Sequence, residues 1–149
     1  MDIFGLKEKE VDYIFRPGAY GLIFNELKDK IAIIQTSDGK YFLPGGGMEN
    51  EESHEECLLR EGIEEMGMKL EIGLYIGSAQ RYFYSANDMK YYLSEAYFYI
   101  CNSLDKAGEP AEAGHFLRWM EPAKAMECLF HDHQSWAVGK VLKKISNCL

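Results

Sequence analysis

The sequence has little of what marks extracellular or membrane proteins. Its 149 residues contain no CxxC pair, so neither a zinc site of that kind nor a disulfide framework is expected. The few cysteines are scattered: Cys57, Cys101, Cys128 and Cys148. No run approaches the roughly 18 apolar residues that a membrane-spanning helix needs, and the N-terminal segment is acidic where a secretory signal would be basic. We therefore expect a cytoplasmic protein with reduced thiols.

Clusters of basic residues are also lacking. The formal net charge is −8, and the densest basic pair is Lys143-Lys144. Because DNA and RNA would be repelled, we expect no nucleic acid polymer as a partner. No membrane partner is expected either, since no apolar run is long enough to span one. A small anionic substrate would have to be neutralised by something other than the protein, and a divalent cation is the obvious candidate.

The order of predicted elements indicates the fold class. No internal repeat or linker divides the chain, so residues 1–149 are expected to form one domain. Strand-like segments are predicted at 19–24, 30–35, 41–43, 70–84, 91–101 and 115–119. Ser53 and Glu56 make a capping box for a helix that ends at Gly67. Pro122 suits the first turn of a later helix, and a final helix is predicted over 134–145. This order predicts a layered, mixed α/β domain.

The first predicted helix carries three carboxylates on one side. Glu61, Glu64 and Glu65 fall within about 100° of arc, and such like charges repel each other unless a cation lies between them. Magnesium prefers carboxylate oxygens, and the glycine loop 45–47 before the helix lets backbone approach a ligand. The opposite side of the helix is apolar and carries Leu59, Ile63 and Met66. A solvated acidic face after a flexible loop is the alternative interpretation.

The spacing across residues 45–68 favours the metal site. The segment resembles the Nudix box, G-x5-E-x7-R-E-U-x-E-E-x-G-U, in which U is a bulky apolar residue. Eight of the nine defined positions match: Gly46, Glu52, Arg60, Glu61, Glu64, Glu65, Gly67 and Met68. The departure is Gly62, which replaces a bulky residue. Because glycine inside a helix costs about 1 kcal/mol against alanine and removes a packing group, we expect it to affect helix packing more than catalysis.

The resemblance implies both a fold and a chemistry. The fold would be the Nudix fold, an α/β/α sandwich around a mixed β-sheet. The activity would be cleavage of a nucleoside diphosphate linked to another moiety, by attack of metal-activated water on phosphorus. Magnesium, with manganese as an alternative, would be held by Glu61, Glu64, Glu65 and the carbonyl of Gly45.

The remaining roles implied by the resemblance are more open. Glu52 and Arg60 would brace the loop against the helix and so belong to the catalytic set. The general base is either Glu61 or a glutamate outside the box, for which the candidates are Glu95, Glu109 and Glu112.

Substrate contacts are assigned to four residues. Gly46 and Gly47 would allow close approach of the substrate. Tyr84 lies near where dinucleoside polyphosphate hydrolases of this family carry a marker tyrosine, although aromatic residues in strands also build cores. Arg81, like Arg16, is a single basic residue that can meet a phosphate or lie at the surface. The segment 131–133, His-Asp-His, is interpreted as a polar turn between helices rather than a metal site.

Two other functions share the resemblance. A non-catalytic, nucleotide-binding regulatory module would keep the fold, but such modules usually lose box glutamates. An isopentenyl diphosphate isomerase would use a different active site, and the complete box argues against it. Among substrates, nucleoside triphosphates and dinucleoside polyphosphates come first, with ADP-ribose and nucleotide sugars still open. Small family members often form homodimers.

Overall fold

The computed structural model describes residues 1–147, so Cys148 lies outside the described residues. The strands are β1 (Asp2–Phe4), β2 (Ile14–Phe24), β3 (Ile31–Thr36), β4 (Tyr41–Phe42), β5 (Gly45–Gly47), β6 (Met68–Ser85), β7 (Lys90–Lys106) and β8 (His115–Met120). The helices are α1 (His54–Met66), α2 (Pro122–Cys128) and α3 (Asp132–Asn147). Within the described part of the chain, no helix is long and apolar enough to span a membrane.

The strands form one mixed sheet in the order β1-β6-β7-β2-β3-β4, with β5 paired to β2 and β8 to β3. The hairpin of β6 and β7 is antiparallel, and β7 runs parallel to β2 along the whole of β2. This parallel pairing is central, because it places β7 beside β2, the strand that also pairs with the glycine segment β5.

Two hydrophobic clusters, one on each face of the sheet, make the layers. The cluster under α2 and α3 contains Leu22, Ile33, Phe98, Ala125 and Val138 among others. The cluster under α1 contains Ala19, Ile23, Ile34, Leu58 and Met66 among others. Alternate residues of β2 and β3 supply both clusters, as the two-residue period of a strand requires. The predicted α/β/α sandwich around a mixed sheet is confirmed.

The predicted capping of α1 is also confirmed. Ser53 Oγ accepts a hydrogen bond from the backbone N–H of Glu56 at 3.1 Å, and Glu56 Oε1 accepts one from the N–H of Ser53 at 3.0 Å. Gly67 ends the helix in the left-handed conformation, with φ of 64°. The bounds of the helix are therefore set by local sequence.

The apolar side of α1 is largely turned to solvent. Leu59 and Ile63 are exposed, at 41% and 47%, and only Met66 is buried. The buried side of the helix instead contains Cys57, Leu58, Glu61, Gly62, Glu65 and Met66. The carboxylates on this side of the helix face the interior because hydrogen-bond donors lie there. The hydrogen bonds offset much of the free-energy cost of burying the carboxylates.

The glycine segment was predicted as a loop and is strand β5. Its residues pair with Gly18, Ala19 and Tyr20 of β2. Gly45 has φ of 138°, and a Cβ there would lie 2.2 Å from the carbonyl oxygen of Ala19. Glycine is therefore required for this close approach of two backbones.

Gly62 has a packing role. A Cβ at this position would lie 2.7 Å from Leu70 Cδ1, so the first part of β6 fills the space that a bulky residue would take. Leu70 is buried in the cluster under α1. The chain thus places its apolar group on the strand rather than on the helix.

Candidate active site

The guanidinium of Arg60 organises the acidic residues of α1. It binds Glu52 through two parallel hydrogen bonds, Nε to Oε2 at 2.7 Å and Nη2 to Oε1 at 3.0 Å. Nη1 donates to Glu61 Oε1 at 2.9 Å and to Glu64 Oε2 at 3.2 Å, and Nη2 donates to the Gly47 carbonyl at 3.1 Å. One arginine thus joins the loop before the helix, the helix and strand β5, with the geometry suited to a planar fork.

Glu65 makes a second link between helix and sheet. Its Oε1 accepts a hydrogen bond from the backbone N–H of Gly45 at 2.8 Å, and its Oε2 lies 3.3 Å from His115 Nδ1. The residue is only 5% exposed. The backbone of Gly45 therefore lies beside the carboxylates, while the metal-binding role of its carbonyl stays a prediction.

The loop between β7 and β8 brings a fourth carboxylate to the cluster. The backbone N–H groups of Ala111 and Glu112 donate to the carbonyl oxygen of Glu64, at 2.8 and 3.2 Å. This docking places Glu112 Oε2 2.7 Å from His115 Nδ1. The loop closes the C-terminal end of α1 and carries Glu112 toward the box glutamates.

Two groups of ligand atoms converge to within 4.8 Å: Glu61 with Glu64 and Glu112, and Glu65 with Glu112 and His115. Of the candidate bases outside the box, Glu112 therefore lies in the cluster. Glu95 is hydrogen-bonded to Gln80 and Tyr97. Glu109 pairs with Lys106 at an exposed site.

His115 was not singled out from the sequence. The signal available was a carboxylate and an imidazole three residues apart, just before a predicted strand. Such a pair indicates no site until the loop is known to dock on α1, so assigning His115 to the site needed the tertiary structure.

Burial sets the electrostatics of the cluster. It raises the pKa of Glu61 to about 7, with the Glu65 charge adding to the shift and Arg60 opposing it. Burial also raises the pKa of Glu65. The hydrogen bonds from Arg60 instead hold the pKa of Glu52 near 2, and the hydrogen bond to Glu65 raises the pKa of His115. The inner carboxylates are therefore short of positive charge, whereas Glu52 is fully compensated.

This donor set fits a divalent cation. Several carboxylate oxygens face one another at distances that a hard cation such as magnesium can bridge. A cation there would replace repulsion between Glu61 and Glu65 with attraction to a shared charge. Arg60 alone does not suffice, because two of its hydrogen bonds, including the shortest, go to Glu52.

A cleft of about 600 Å³ adjoins the carboxylates at His115. Its aromatic lining consists of Phe42, Phe83, Tyr84, Tyr92, Phe130 and His131. Two cations, Arg16 and Lys40, also line it. Rings of this kind stack on planar ligands, and cations attract phosphates.

The predicted substrate contacts fall at different places around this cleft. Tyr84 lines it and packs on Tyr91, with ring centroids 4.8 Å apart. A Cβ on Gly46 would lie 2.6 Å from a carboxylate oxygen of Glu61, and one on Gly47 would lie 3.1 Å from Arg16 Nε. Both glycines thus leave room for side chains of the site. Their contacts with substrate stay predictions.

Arg81 lies behind the cleft rather than at its surface. Its Nη1 donates to the carbonyl of Phe130 at 2.9 Å and to Nδ1 of His131 at 2.7 Å. Surface placement was the default for both arginines; Arg16 is exposed, lines the cleft and lies over the ring of Tyr92. For a phosphate contact, Arg16 is therefore the better placed of the two arginines.

In the segment 131–133, His133 is buried, and His131 is half-buried at the cleft beside Phe42, Phe83 and Phe130. Because a guanidinium only donates, the Arg81 bond requires His131 Nδ1 to be unprotonated. Burial lowers the pKa of His131 to about 2 and that of His133 to about 3, so both rings are neutral. His131 lies between α2 and α3 as predicted, whereas Asp132 and His133 begin α3. Neither histidine belongs to a convergent ligand group.

Comparison with known families and structures agrees with this architecture. The model of the NUDIX domain family matches residues 14–141. No curated protein sequence matches the chain.

Solved structures share the fold at low sequence identity. A NUDIX hydrolase from Nitrosomonas europaea is 14% identical, with a TM-score of 0.69 over 87% of this chain and 89% of that one. A MutT protein from Methanosarcina mazei Go1 is 21% identical, with a TM-score of 0.69 over 91% and 99%. An ADP-ribose pyrophosphatase from Streptococcus suis is 19% identical, with a TM-score of 0.59 over 83% and 88%.

Proposed function

This chain belongs to the Nudix family of pyrophosphate-cleaving hydrolases, and from that premise we propose that it is a magnesium-dependent pyrophosphohydrolase of nucleotides. The substrate is a nucleoside diphosphate linked to another moiety, with nucleoside triphosphates and dinucleoside polyphosphates first among the candidates. The setting is the cytoplasm, and residues 1–149 act as one catalytic domain.

The observation that carries the proposal is the position of the carboxylate cluster against the cleft. Glu61, Glu64 and Glu112 converge on one point, and His115 belongs both to the neighbouring group and to the cleft lining. A phosphate chain bound at this junction would have its nucleoside in reach of aromatic rings. A nucleotide is the small anion that needs both a stacking surface and charge neutralisation.

The relatives in structure support nucleotide-type substrates. The Streptococcus suis protein is named an ADP-ribose pyrophosphatase, and another structural neighbour is named a UDP-X diphosphatase. Both names describe a diphosphate bond beside a nucleoside. Because these proteins are 19% identical to this chain, the choice among such substrates rests on this chain's own cleft.

In the proposed mechanism, Glu61, Glu64 and Glu65 would hold the divalent cation together with the Gly45 carbonyl. When bound, the cation neutralises phosphoryl charge and activates a water for attack on phosphorus. Arg60 fixes the rotamers of Glu61 and Glu64 through its Nη1 bonds. Glu52 holds Arg60 in turn, which keeps the ligand geometry set before substrate arrives.

The proton of the attacking water goes to a carboxylate of this cluster. Glu61 and Glu112 are the two candidates, since Glu95 and Glu109 are engaged elsewhere. Glu61→Gln and Glu112→Gln distinguish them through the pH profile of kcat at saturating metal. Replacing the acceptor removes the acid limb of that profile, whereas replacing a ligand mainly raises the metal concentration required.

The test is a product assay over a nucleotide panel with magnesium, run on the wild type and on Glu64→Gln. The matched control is Glu55→Gln, because Glu55 is an exposed glutamate of the same helix. Magnesium-dependent cleavage that falls at least about 100-fold in Glu64→Gln and not in Glu55→Gln supports the hydrolase. Binding of nucleotides without cleavage of any panel member would overturn it in favour of the regulatory module.

A further inference from the structure

His115 lies between two carboxylates, and packing of the core does not account for this position. It is the first residue of β8 and follows Gly114, whose φ of 78° turns the chain into the strand. Nδ1 of His115 lies 2.7 Å from Glu112 Oε2 and 3.3 Å from Glu65 Oε2. The side chain is one-third exposed and reaches the cleft, so it contributes little to the core.

One ring nitrogen cannot serve both carboxylates well. Nδ1 carries at most one hydrogen, so a single N–H is shared between an oxygen of Glu112 and an oxygen of Glu65. Two anionic acceptors then face one donor in a partly buried site. A divalent cation in the same space would bind all three atoms at once, which a shared hydrogen cannot do.

The distances suit such an ion. Adjacent ligands of an octahedral cation with bonds of about 2.1 Å lie about 3 Å apart. The two separations at Nδ1, 2.7 and 3.3 Å, bracket that value. All three donor atoms lie within 4.8 Å of one another.

The two convergent ligand groups differ in chemistry and share Glu112. The group of Glu61, Glu64 and Glu112 offers only oxygen, which is the donor that magnesium prefers. The group of Glu65, Glu112 and His115 offers two oxygens and an imidazole nitrogen. Imidazole favours first-row transition metals, whose affinity for nitrogen sites rises from manganese through cobalt to nickel.

We propose that Glu65, Glu112 and His115 form a mixed nitrogen and oxygen subsite that binds a first-row transition cation in preference to magnesium. The proposal rests on the metal-dependent function proposed above and assigns His115 as a direct ligand. The subsite adjoins the all-oxygen group through Glu112, and His115 joins it to the cleft. Manganese or cobalt is then the better activator at limiting metal concentration.

The test uses manganese itself as the probe, with the full chain and no substrate. Pulsed EPR of bound Mn²⁺ detects the nitrogen-14 coupling of a coordinated imidazole. We expect this coupling in the wild type, its loss in His115→Gln and its retention in His54→Gln. His54 is a suitable control because it bonds Tyr99 and lies in neither ligand group.

Calorimetry gives the second readout. We expect His115→Gln to bind Mn²⁺ at least about tenfold more weakly than the wild type. Its affinity for Mg²⁺ should change less than about threefold, because magnesium gains little from imidazole. If the variant does not fold, wild-type protein labelled with nitrogen-15 histidine replaces it, since labelling must remove the nitrogen-14 signal from a true histidine ligand.

Contrary outcomes separate this proposal from the broader one. Manganese bound without nitrogen coupling, or coupling that persists in His115→Gln, overturns the role of His115 while leaving metal-dependent hydrolysis in place. Failure of the wild type to bind either Mn²⁺ or Mg²⁺, with or without nucleotide, overturns both proposals together.

Discussion

Oε1 of Glu65 accepts a hydrogen bond of 2.8 Å from the backbone N–H of Gly45, twenty residues earlier in the chain. The bond fastens the last turn of α1 to strand β5. It also fixes one oxygen of Glu65 as structural and leaves the other facing His115. Glu65 therefore has both a structural role and a role in the carboxylate cluster, and substitutions can separate the two.

Glu65→Gln is expected to abolish activity without loss of stability. The amide oxygen of glutamine can still accept the Gly45 bond, but the buried negative charge is gone. Because burial disfavours the charged form of Glu65, its removal should leave the free energy of unfolding equal or higher. Glu65→Ala, which loses the bond as well, should be less stable than Glu65→Gln. Thermal unfolding and the nucleotide assay measure both effects, and equal destabilisation by the two variants would contradict the account.

Arg60→Lys is expected to lower kcat by about 10 to 100-fold, since an ammonium cannot reproduce the forked bonds to Glu52 while also binding Glu61 and Glu64. The variant should fold, because α1 keeps its caps. Added magnesium should raise its melting temperature more than that of the wild type, as the cation takes over charge compensation. Arg118→Lys serves as the control, since Arg118 is outside the cluster and bonds Gln35. Wild-type turnover in Arg60→Lys would refute the proposed bracing role.

Gly45→Ala is expected to destabilise the fold far more than Gly39→Ala. Both glycines have positive φ, 138° and 86°. A Cβ at Gly39 meets nothing within 4 Å, whereas one at Gly45 would lie 2.2 Å from the Ala19 carbonyl oxygen. Gly39→Ala should cost about 1 kcal/mol for backbone strain alone, and Gly45→Ala more, because β2 and β5 must separate. Urea unfolding of the two variants makes the comparison, and similar midpoints would count against the close backbone contact.

Arg16→Gln is expected to raise KM about tenfold with kcat nearly unchanged, since a cation at the cleft would contact phosphate equally in ground and transition states. The substitution removes the charge and leaves a shorter polar side chain that still has N–H donors. Steady-state kinetics on the best substrate measures the split, with Arg118→Gln as the control. A fall in kcat of the same size as the change in kcat/KM would instead place Arg16 in the transition state.

Acid is expected to destabilise the protein through its buried histidines. The pKa of His133 is about 3 in the folded chain because burial disfavours the charged ring, whereas an unfolded histidine has a pKa near 6.5. Below about pH 6.5 the unfolded state takes up a proton that the folded state does not. The free energy of unfolding therefore decreases by about 1 kcal/mol for each unit by which the pH is lowered, until the folded pKa is reached.

The measurement is urea unfolding at pH 7 and pH 5. His133→Gln should lose less stability across this interval than the wild type, while His54→Gln, at a partly exposed histidine, should lose as much as the wild type. For each protein, the quantity compared is the change in the free energy of unfolding between pH 7 and pH 5. Any destabilisation of a variant that is already present at pH 7 therefore cancels. An unchanged difference in His133→Gln would show that other groups govern the acid sensitivity.

Much of this protein was determined by local sequence. The caps of α1 at Ser53 and Gly67 depend on side chains within a few residues, and they formed as predicted. Strand positions followed from runs of branched and aromatic residues. The carboxylate side of α1 also follows from spacing along a helix, whereas the Glu52–Arg60 pair was implied by the resemblance to the Nudix box. The structure brings those residues together.

Only the tertiary structure decided which side of α1 is buried and which distant residues contact it. Helical spacing groups Leu59 and Ile63 on an apolar side but does not say whether that side is buried, and both are exposed. Donors from Gly45, Arg60 and His115 bind the carboxylate side, which faces the interior. Glu112 and His115 reach the cluster because a loop donates two backbone hydrogen bonds to the end of α1. Contacts of this kind join residues about 50 positions apart, so they cannot be predicted from periodicity or from a motif within one segment.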